Sequence, residues 1–155
     1  MRLRIVTVGR PARDAQRLAD PYLRRLDAAW PTEVLHVVEE RLSARRSESE
    51  VLRKEAARIR EKLPAGWNAV ALDRTGRQMD SSALAEQMRA WEQGAVRGIS
   101  FLIGGPVGLD PTLVEAAHLR LSFGPMTFAH DLAFVMLCEQ LYRALTITRG
   151  WPYHR

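Results

Sequence analysis

Apolar positions in this chain alternate between short β-rich runs and helically spaced sets. Leu3 to Val8 is a β-rich run closed by Gly9 and Pro11, and it predicts a strand followed by a loop. Leu18, Tyr22 and Leu26 recur at i, i+4 and i+8 and predict a helix with these residues on one face, ended by Pro31. Val34–Val38 predicts a second strand. Val51, Glu55, Ile59 and Leu63 then mark one helical face, apolar apart from Glu55. Asn68–Leu72 predicts a third strand, running into Asp73-Arg-Thr-Gly76. Leu84, Met88 and Trp91 lie on one side of a helix that Gly94 can terminate. Ile99–Ile103 is a nearly continuous apolar strand, the pattern of a strand covered on both faces. Asp110-Pro111 reads as an N-cap followed by proline at the first helical position. A fifth strand at Leu119–Phe123 and a helix from about Ala129 to Ile147 complete the chain.

Strands alternating with helices predict an α/β fold, a mostly parallel sheet between helices. No linker, repeat or low-complexity segment interrupts it, so residues 1–155 read as a single domain. The strand order does not follow from the pattern. The last helix is apolar on two sides. Phe134, Leu137, Cys138, Leu141 and Leu145 form a stripe at core spacing, while Leu132, Val135, Met136 and Tyr142 form another. The second stripe needs a covering partner, which is either a second copy of the chain or the rest of the same monomer.

Charge adds a direction. The 155 residues carry 23 Lys+Arg against 18 Asp+Glu, a net +5 that weakly favours acidic partners such as nucleic acid. Eight of the basic residues and six acidic ones crowd Glu39–Lys62, which reads first as a solvated helix laced with i,i+4 pairs and second as an RNA-facing surface. One cysteine, Cys138, allows no internal disulfide and suits a reducing compartment. The N-terminus has no signal-peptide pattern, and no apolar run approaches the roughly 20 residues of a membrane span. The expectation is a cytoplasmic protein without membrane contact.

Candidate chemistry sits in three loops that follow apolar strands: Leu72 to Gly76, Gly104 to Gly108, and Leu121 to Met126. Gly104-Gly-Pro-Val-Gly108 lacks the Gly-Lys-Ser/Thr ending of a P-loop and the G-x-G-x-x-G spacing of a dinucleotide fingerprint. By itself it fits a tight turn as well as a ligand loop. The C-terminal stretch is more unusual. Gln140–Arg155 holds no acidic residue, and Arg143, Arg149 and Arg155 are interleaved with Tyr142, Trp151, Tyr153 and His154. Cations beside aromatic rings suit phosphates and stacked bases. His36, His118, His130 and His154 are scattered and Cys138 is alone, so no metal site is expected.

Taken together, Leu102-Ile-Gly-Gly-Pro-Val-Gly-Leu109, Leu121-Ser-Phe-Gly-Pro-Met-Thr127 with His130, and Glu139-Gln-Leu-Tyr-Arg-Ala144 leading to Pro152-Tyr-His-Arg155 strongly resemble the RlmH family. Tyr22-Leu-Arg-Arg25 and the first strand are also similar to it, and the resemblance covers essentially the whole chain. These are SPOUT-class methyltransferases of 23S ribosomal RNA. The resemblance implies a SPOUT-type fold with a C-terminal trefoil knot, a homodimer, and S-adenosyl-L-methionine as methyl donor. The implied substrate is N3 of a pseudouridine, position 1915 of the 23S RNA, in the assembled ribosome. It places the donor at Leu72, Gly104, Gly105, Leu121, Ser122, Phe123, Gly124, Pro125 and Met126. Two positions depart from the family pattern: Val107 stands where many relatives have an acidic residue, and Phe134 where many have arginine.

Methyl transfer needs the nucleophile in line with the sulfonium methyl, and N3 must lose its proton. Arg143, His154 and Arg155 are candidates to ease the developing negative charge, and His154 could instead accept the proton. Tyr153 could stack on the base. Arg149 and Arg155 are expected on RNA phosphates, in a tail that RNA orders. Two rival readings remain open at the level of sequence. One is a non-catalytic basic RNA- or ribosome-binding protein, and the other a small nucleotide-binding α/β protein using the Gly104 loop.

Overall fold

The structure, a computed structural model, describes residues 1–43 and 46–154. Arg155 and Arg45, the latter counted in the charged stretch, lie outside the described residues. The elements are β1 (Arg2–Val8), α1 (Arg13–Asp27), β2 (Thr32–Val37), α2 (Glu48–Arg60), β3 (Asn68–Gln78), α3 (Ser81–Gln93), β4 (Gly98–Ile103), α4 (Pro111–Ala116), β5 (Leu119–Ser122) and α5 (His130–Arg149). The strands form one sheet in the order β2-β1-β4-β3-β5, and every neighbouring pair is parallel. Parallel strands need crossover helices, and these cover both faces.

One face carries Leu3, Ile5, Val70, Ile99, Phe101 and Leu121 against α1, α3 and α5. The other carries Val6, Val8, Ala71 and Leu102 against α2 and α4. Central β4 is buried at every residue, which is why its sequence is a continuous apolar run rather than an alternation. Local signals fix the helix starts. Ser47 and Glu50 form a capping box at α2, Asp80 caps α3 by accepting from the Ala83 N–H at 2.7 Å, and Asp110 caps α4 ahead of Pro111. Gly150, at φ +66°, closes α5 in the left-handed conformation that glycine adopts without cost.

Two sequence expectations change. The inward line of α1 is Ala15, Ala19 and Leu26, whereas Leu18 is 62% exposed. The small alanines let α1 lie close on α5, so the buried line is not the one the larger residues suggest. Helix α1 also ends at Asp27, before Pro31, where the Asp27 carboxylate accepts from the Thr32 N–H at 3.0 Å. The polar exception on the α2 face is partly satisfied: Glu55 is buried, its Oε1 accepts from the Glu40 N–H at 2.8 Å, and its Oε2 has no hydrogen-bond partner among the described residues.

Both stripes of α5 are present. Phe134, Leu137, Cys138, Leu141 and Leu145 are buried in the main core. Leu132 is 57% exposed, and Val135, Met136 and Tyr142 are half-buried. Phe134, the residue in the family's arginine position, is thus a core side chain here. Among the described residues no helix is long and apolar enough to cross a membrane.

Candidate active site

The carboxyl ends of β4, β3 and β5 open onto a cleft of about 670 Å³, a size suited to a nucleoside-like ligand. Leu72, Ile103, Leu121, Phe123 and Met126 supply apolar walls, the Gly104–Leu109 loop forms one rim, and His130 and Ala133 close the cleft from the start of α5. Strand ends of a parallel sheet are where such folds bind ligands. Of the residues expected to hold a donor, Leu72, Gly104, Gly105, Leu121, Phe123, Gly124 and Met126 line the cleft; Ser122 and Pro125 do not.

Backbone geometry explains the glycines. A Cβ on Gly104 would lie 2.4 Å from the Gly108 carbonyl carbon and 2.5 Å from its oxygen, and one on Gly105 would lie 2.9 Å from Val8 Cγ1. The loop is folded tightly on itself, with the Gly108 N–H bonded to the Gly105 carbonyl at 2.9 Å. Gly104 is therefore required by its own loop rather than by the approach of a ligand. Gly124 differs: at φ +145° its would-be Cβ meets nothing within 4 Å, so that wall of the cleft is open.

Strand β3 supplies another wall through an irregularity. Leu72 and Arg77 both pair with Leu121, so residues 73–76 loop out between them. Asp73 ties this loop by accepting from the Thr75 N–H at 2.8 Å. Ser122 latches it, its hydroxyl lying 3.0 Å from the Arg74 carbonyl, 3.0 Å from the Gly124 carbonyl and 3.0 Å from the Gly124 N–H that it accepts. Ser122 thus shapes the cleft from behind. Ser122→Ala should cost about 1 kcal/mol of stability, and it should weaken ligand binding in the cleft several-fold; thermal melts and calorimetry on the same preparation check both.

The C-terminal residues assemble elsewhere. Tyr153 is half-buried, with its hydroxyl donating to Glu139 Oε1 at 3.1 Å, its ring under the Arg143 guanidinium at 4.8 Å, and Tyr142 edge-on at 4.8 Å. Burial, and then the bond to Glu139, pushes its hydroxyl up to about 12. Arg143 donates to Glu139 Oε1 from Nε at 3.0 Å and Nη2 at 2.6 Å, while Nη1 faces His154 Nδ1 at 3.5 Å. Arg149 pairs with Glu92 at 2.8 Å, which also accepts from the Trp30 indole. Contacts within the chain thus hold Arg149 and Tyr153 to α3 and α5. None of Arg143, Arg149, Tyr153 or His154 lines the cleft. Ala133, the last cleft residue on α5, is ten positions before Arg143, or about 15 Å along the helix axis.

The other candidates are accounted for locally. His36 Nδ1 meets the Thr7 hydroxyl at 2.8 Å, and burial followed by the Arg10 charge lowers its pKa. His118 Nδ1 accepts from the Ala69 N–H at 3.1 Å. Burial pushes the Cys138 thiol up to about 12, which leaves it unreactive. Among the described residues no group of three or more His, Cys, Asp or Glu is placed to hold a metal. Sequence reading missed Glu139, although its i,i+4 spacing to Arg143 was a usable signal. It included Arg74 only as part of the Leu72–Gly76 loop, and it did not assign the 127–130 segment to the cleft.

A parallel sheet with a cleft at its strand ends defines an α/β ligand-binding protein. The family model described as a predicted SPOUT methyltransferase matches residues 1–154, and the chain belongs to that family. It is 47% identical over 157 residues to the ribosomal RNA large subunit methyltransferase H of Rubrobacter xylanophilus, spanning 99% of this chain and 98% of that one. Its counterpart of the same name from Magnetococcus marinus is 39% identical over 159 residues, spanning 99% of each. Among solved structures, a probable methyltransferase from Bordetella pertussis Tohama I shares the fold, with a TM-score of 0.57 at 16% identity over 93% of this chain and 96% of that one. The chain is accordingly a methyltransferase, and the two non-enzymatic readings fall away.

Proposed function

We propose that this chain uses S-adenosyl-L-methionine to methylate N3 of pseudouridine 1915 in 23S ribosomal RNA of the assembled ribosome, as a cytoplasmic homodimer. The observation that carries this reading is the full-length match to large-subunit methyltransferases, together with a strand-end cleft of nucleoside size. The residues present fit the donor. Leu72, Ile103, Leu121 and Met126 can sandwich a flat adenine, and the open side of Gly124 lets the ligand lie against the backbone. When bound, the donor supplies an electrophilic methyl on a sulfonium.

The residues of the chain do the rest. Attack by N3 requires loss of its proton and leaves negative charge spread onto the neighbouring carbonyl oxygens. Arg143 is positioned to ease that charge. His154 Nδ1 lies 3.5 Å from Arg143 Nη1, at the outer limit of a hydrogen bond, so the imidazole stands beside the guanidinium and serves the base either as a second donor or as the proton acceptor. Tyr153 offers its ring for stacking, since its hydroxyl is committed to Glu139. Arg149, and Arg155 beyond the described residues, would exchange their local surroundings for phosphates.

The separation of about 15 Å along the α5 axis supports the dimer. One chain does not bring its tail to its own cleft, whereas a second copy crossing α5 can lend its tail to the first. The exposed Leu132 and Leu18, on helices that pack together, give that copy an apolar seat. Leu132→Asp should leave the chain folded and weaken the dimer by about a hundredfold or more, because the symmetric contact buries the charge twice. Light scattering should then show a monomer mass where wild type shows a dimer, with ribosome methylation falling in step. The reading itself is tested by incubating the protein and donor with purified ribosomes that carry or lack pseudouridine at the target. Methylation is expected only where pseudouridine is present; methylation of neither sample would overturn it.

A further inference from the structure

The tail has an anchor that the chemistry above does not use. We propose that Glu139 is the positioning residue of the tail, one carboxylate that gathers Arg143 and Tyr153 and sets which edge of the guanidinium, and which face of His154, is presented to the target base. The proposal rests on the reading of the tail as the base-facing half of the active site.

Glu139 lies one helical turn before Arg143, the i,i+4 order that favours an ion pair. Its Oε1 takes three donors: Arg143 Nε at 3.0 Å, Arg143 Nη2 at 2.6 Å and the Tyr153 hydroxyl at 3.1 Å. Its Oε2 is held by Gln140 Nε2 at 2.7 Å, and Gln140 Oε1 in turn accepts from the Ser81 hydroxyl at 2.7 Å. A continuous chain of hydrogen bonds thus runs from the first turn of α3 to the tail. The carboxylate cannot serve the core, since Phe134, Leu137, Leu141 and Leu145 pack α5 on its other side.

The arrangement has a directional consequence. Glu139 takes the Nε–H and one of the two Nη2 hydrogens, so Nη1 is the nitrogen left with both of its hydrogens off that carboxylate, and Nη1 is the atom turned towards His154. Tyr153, bonded through its hydroxyl, lays its ring under the same guanidinium. One acid therefore fixes the orientation of a cation, an aromatic face and, through the cation, an imidazole. Without it the charge and the ring remain, but their common orientation is lost. Such a defect slows the chemical step more than it weakens binding.

The test uses the full-length protein with Tyr22→Phe and Tyr142→Phe, labelled with [13Cζ]tyrosine so that Tyr153 gives a single line at neutral pH. Glu139→Gln and Glu139→Ala are introduced into this background and into wild type. The tyrosine line is expected to move in both variants. Turnover on ribosomes should fall about ten- to hundred-fold in Glu139→Ala and less in Glu139→Gln, which keeps one acceptor oxygen. The KM for ribosomes should stay within about threefold and donor affinity by calorimetry should not change, because the cleft lies elsewhere. A tyrosine line that does not move, or turnover in both variants within about twofold of wild type, would overturn the proposal. If Glu139→Ala does not fold, Glu139→Gln decides alone, with its donor affinity as the check on folding. Wild-type protein that methylates no ribosomes overturns the underlying reading instead, a result visible before any variant is made.

Discussion

Gly104→Val should abolish donor binding. The loop that rims the cleft returns on itself so closely that a Cβ at position 104 would stand 2.4 Å from Gly108 C, 2.5 Å from Gly108 O and 2.8 Å from Leu109 N. All three are backbone atoms and none can rotate away. Gly108 itself holds φ +86°, a conformation open to glycine, and bonds back to Gly105. Valine can be accommodated only by opening the loop, which moves the whole rim from Gly104 to Leu109 away from the adenine-sized space. Overpacking of this kind costs about 1–3 kcal/mol of stability, so the chain should still fold. Donor affinity should fall by about a hundredfold or more, since a misplaced rim loses several contacts at once. Calorimetry measures this directly, and affinity within a few-fold of wild type would show that the loop does not shape the donor site.

Deleting Tyr153–Arg155 should abolish methylation of ribosomes and leave donor affinity within a few-fold. The deletion removes the ring beneath Arg143, the imidazole beside its Nη1 and the last cation, and with them the groups proposed to face the base. Loss of one preorganised donor to a developing oxyanion is typically worth about 10²–10³ in rate, and here more than one group goes. The cleft is untouched, because no tail residue lines it. Point variants should separate the roles. Arg149→Ala should weaken ribosome binding and its salt dependence, and it should loosen the contact of α5 with Glu92 on α3. His154→Ala should chiefly slow turnover. A truncated protein that methylates ribosomes at the normal rate would reduce the tail to a structural element.

What could be read from sequence depended on how local its cause was. The run Ile99–Ile103 announced a strand buried on both faces because burial acts directly on composition. Asp110-Pro111 announced a helix start because capping is a matter of adjacent residues. The two stripes of α5 were legible from spacing, including the one left half-open. The face of α1 was read in part: Tyr22 and Leu26 pack on the core, whereas Leu18 is exposed and Ala15 and Ala19 complete the inward line. The loop after Leu72 was legible, but not the resumption of β3 at Arg77, which arises from two β3 residues sharing Leu121, a long-range register. The resemblance pointed to loops that line the cleft, but not to why each residue stands there: Ser122 latches two walls from behind, and Gly104 is needed by its own loop. The separation of about 15 Å along α5 between the cleft's last residue on that helix and Arg143 is a property of a folded helix, and no motif carries it.

That separation makes one measurement the most direct test of the account, in which the cleft of one chain and the tail of another perform the transfer together. Gly104→Val protein, with a broken cleft and an intact tail, is mixed with protein lacking Tyr153–Arg155, with an intact cleft and no tail. Each is inactive alone. After exchange of subunits, half of the dimers are mixed, and each mixed dimer holds one site with both parts intact. Methylation of ribosomes should return to about a quarter of the wild-type rate, and it should require pseudouridine at the target position. If the mixture stays as inactive as its components while light scattering shows that subunits have exchanged, the site is not shared between chains and the account is wrong.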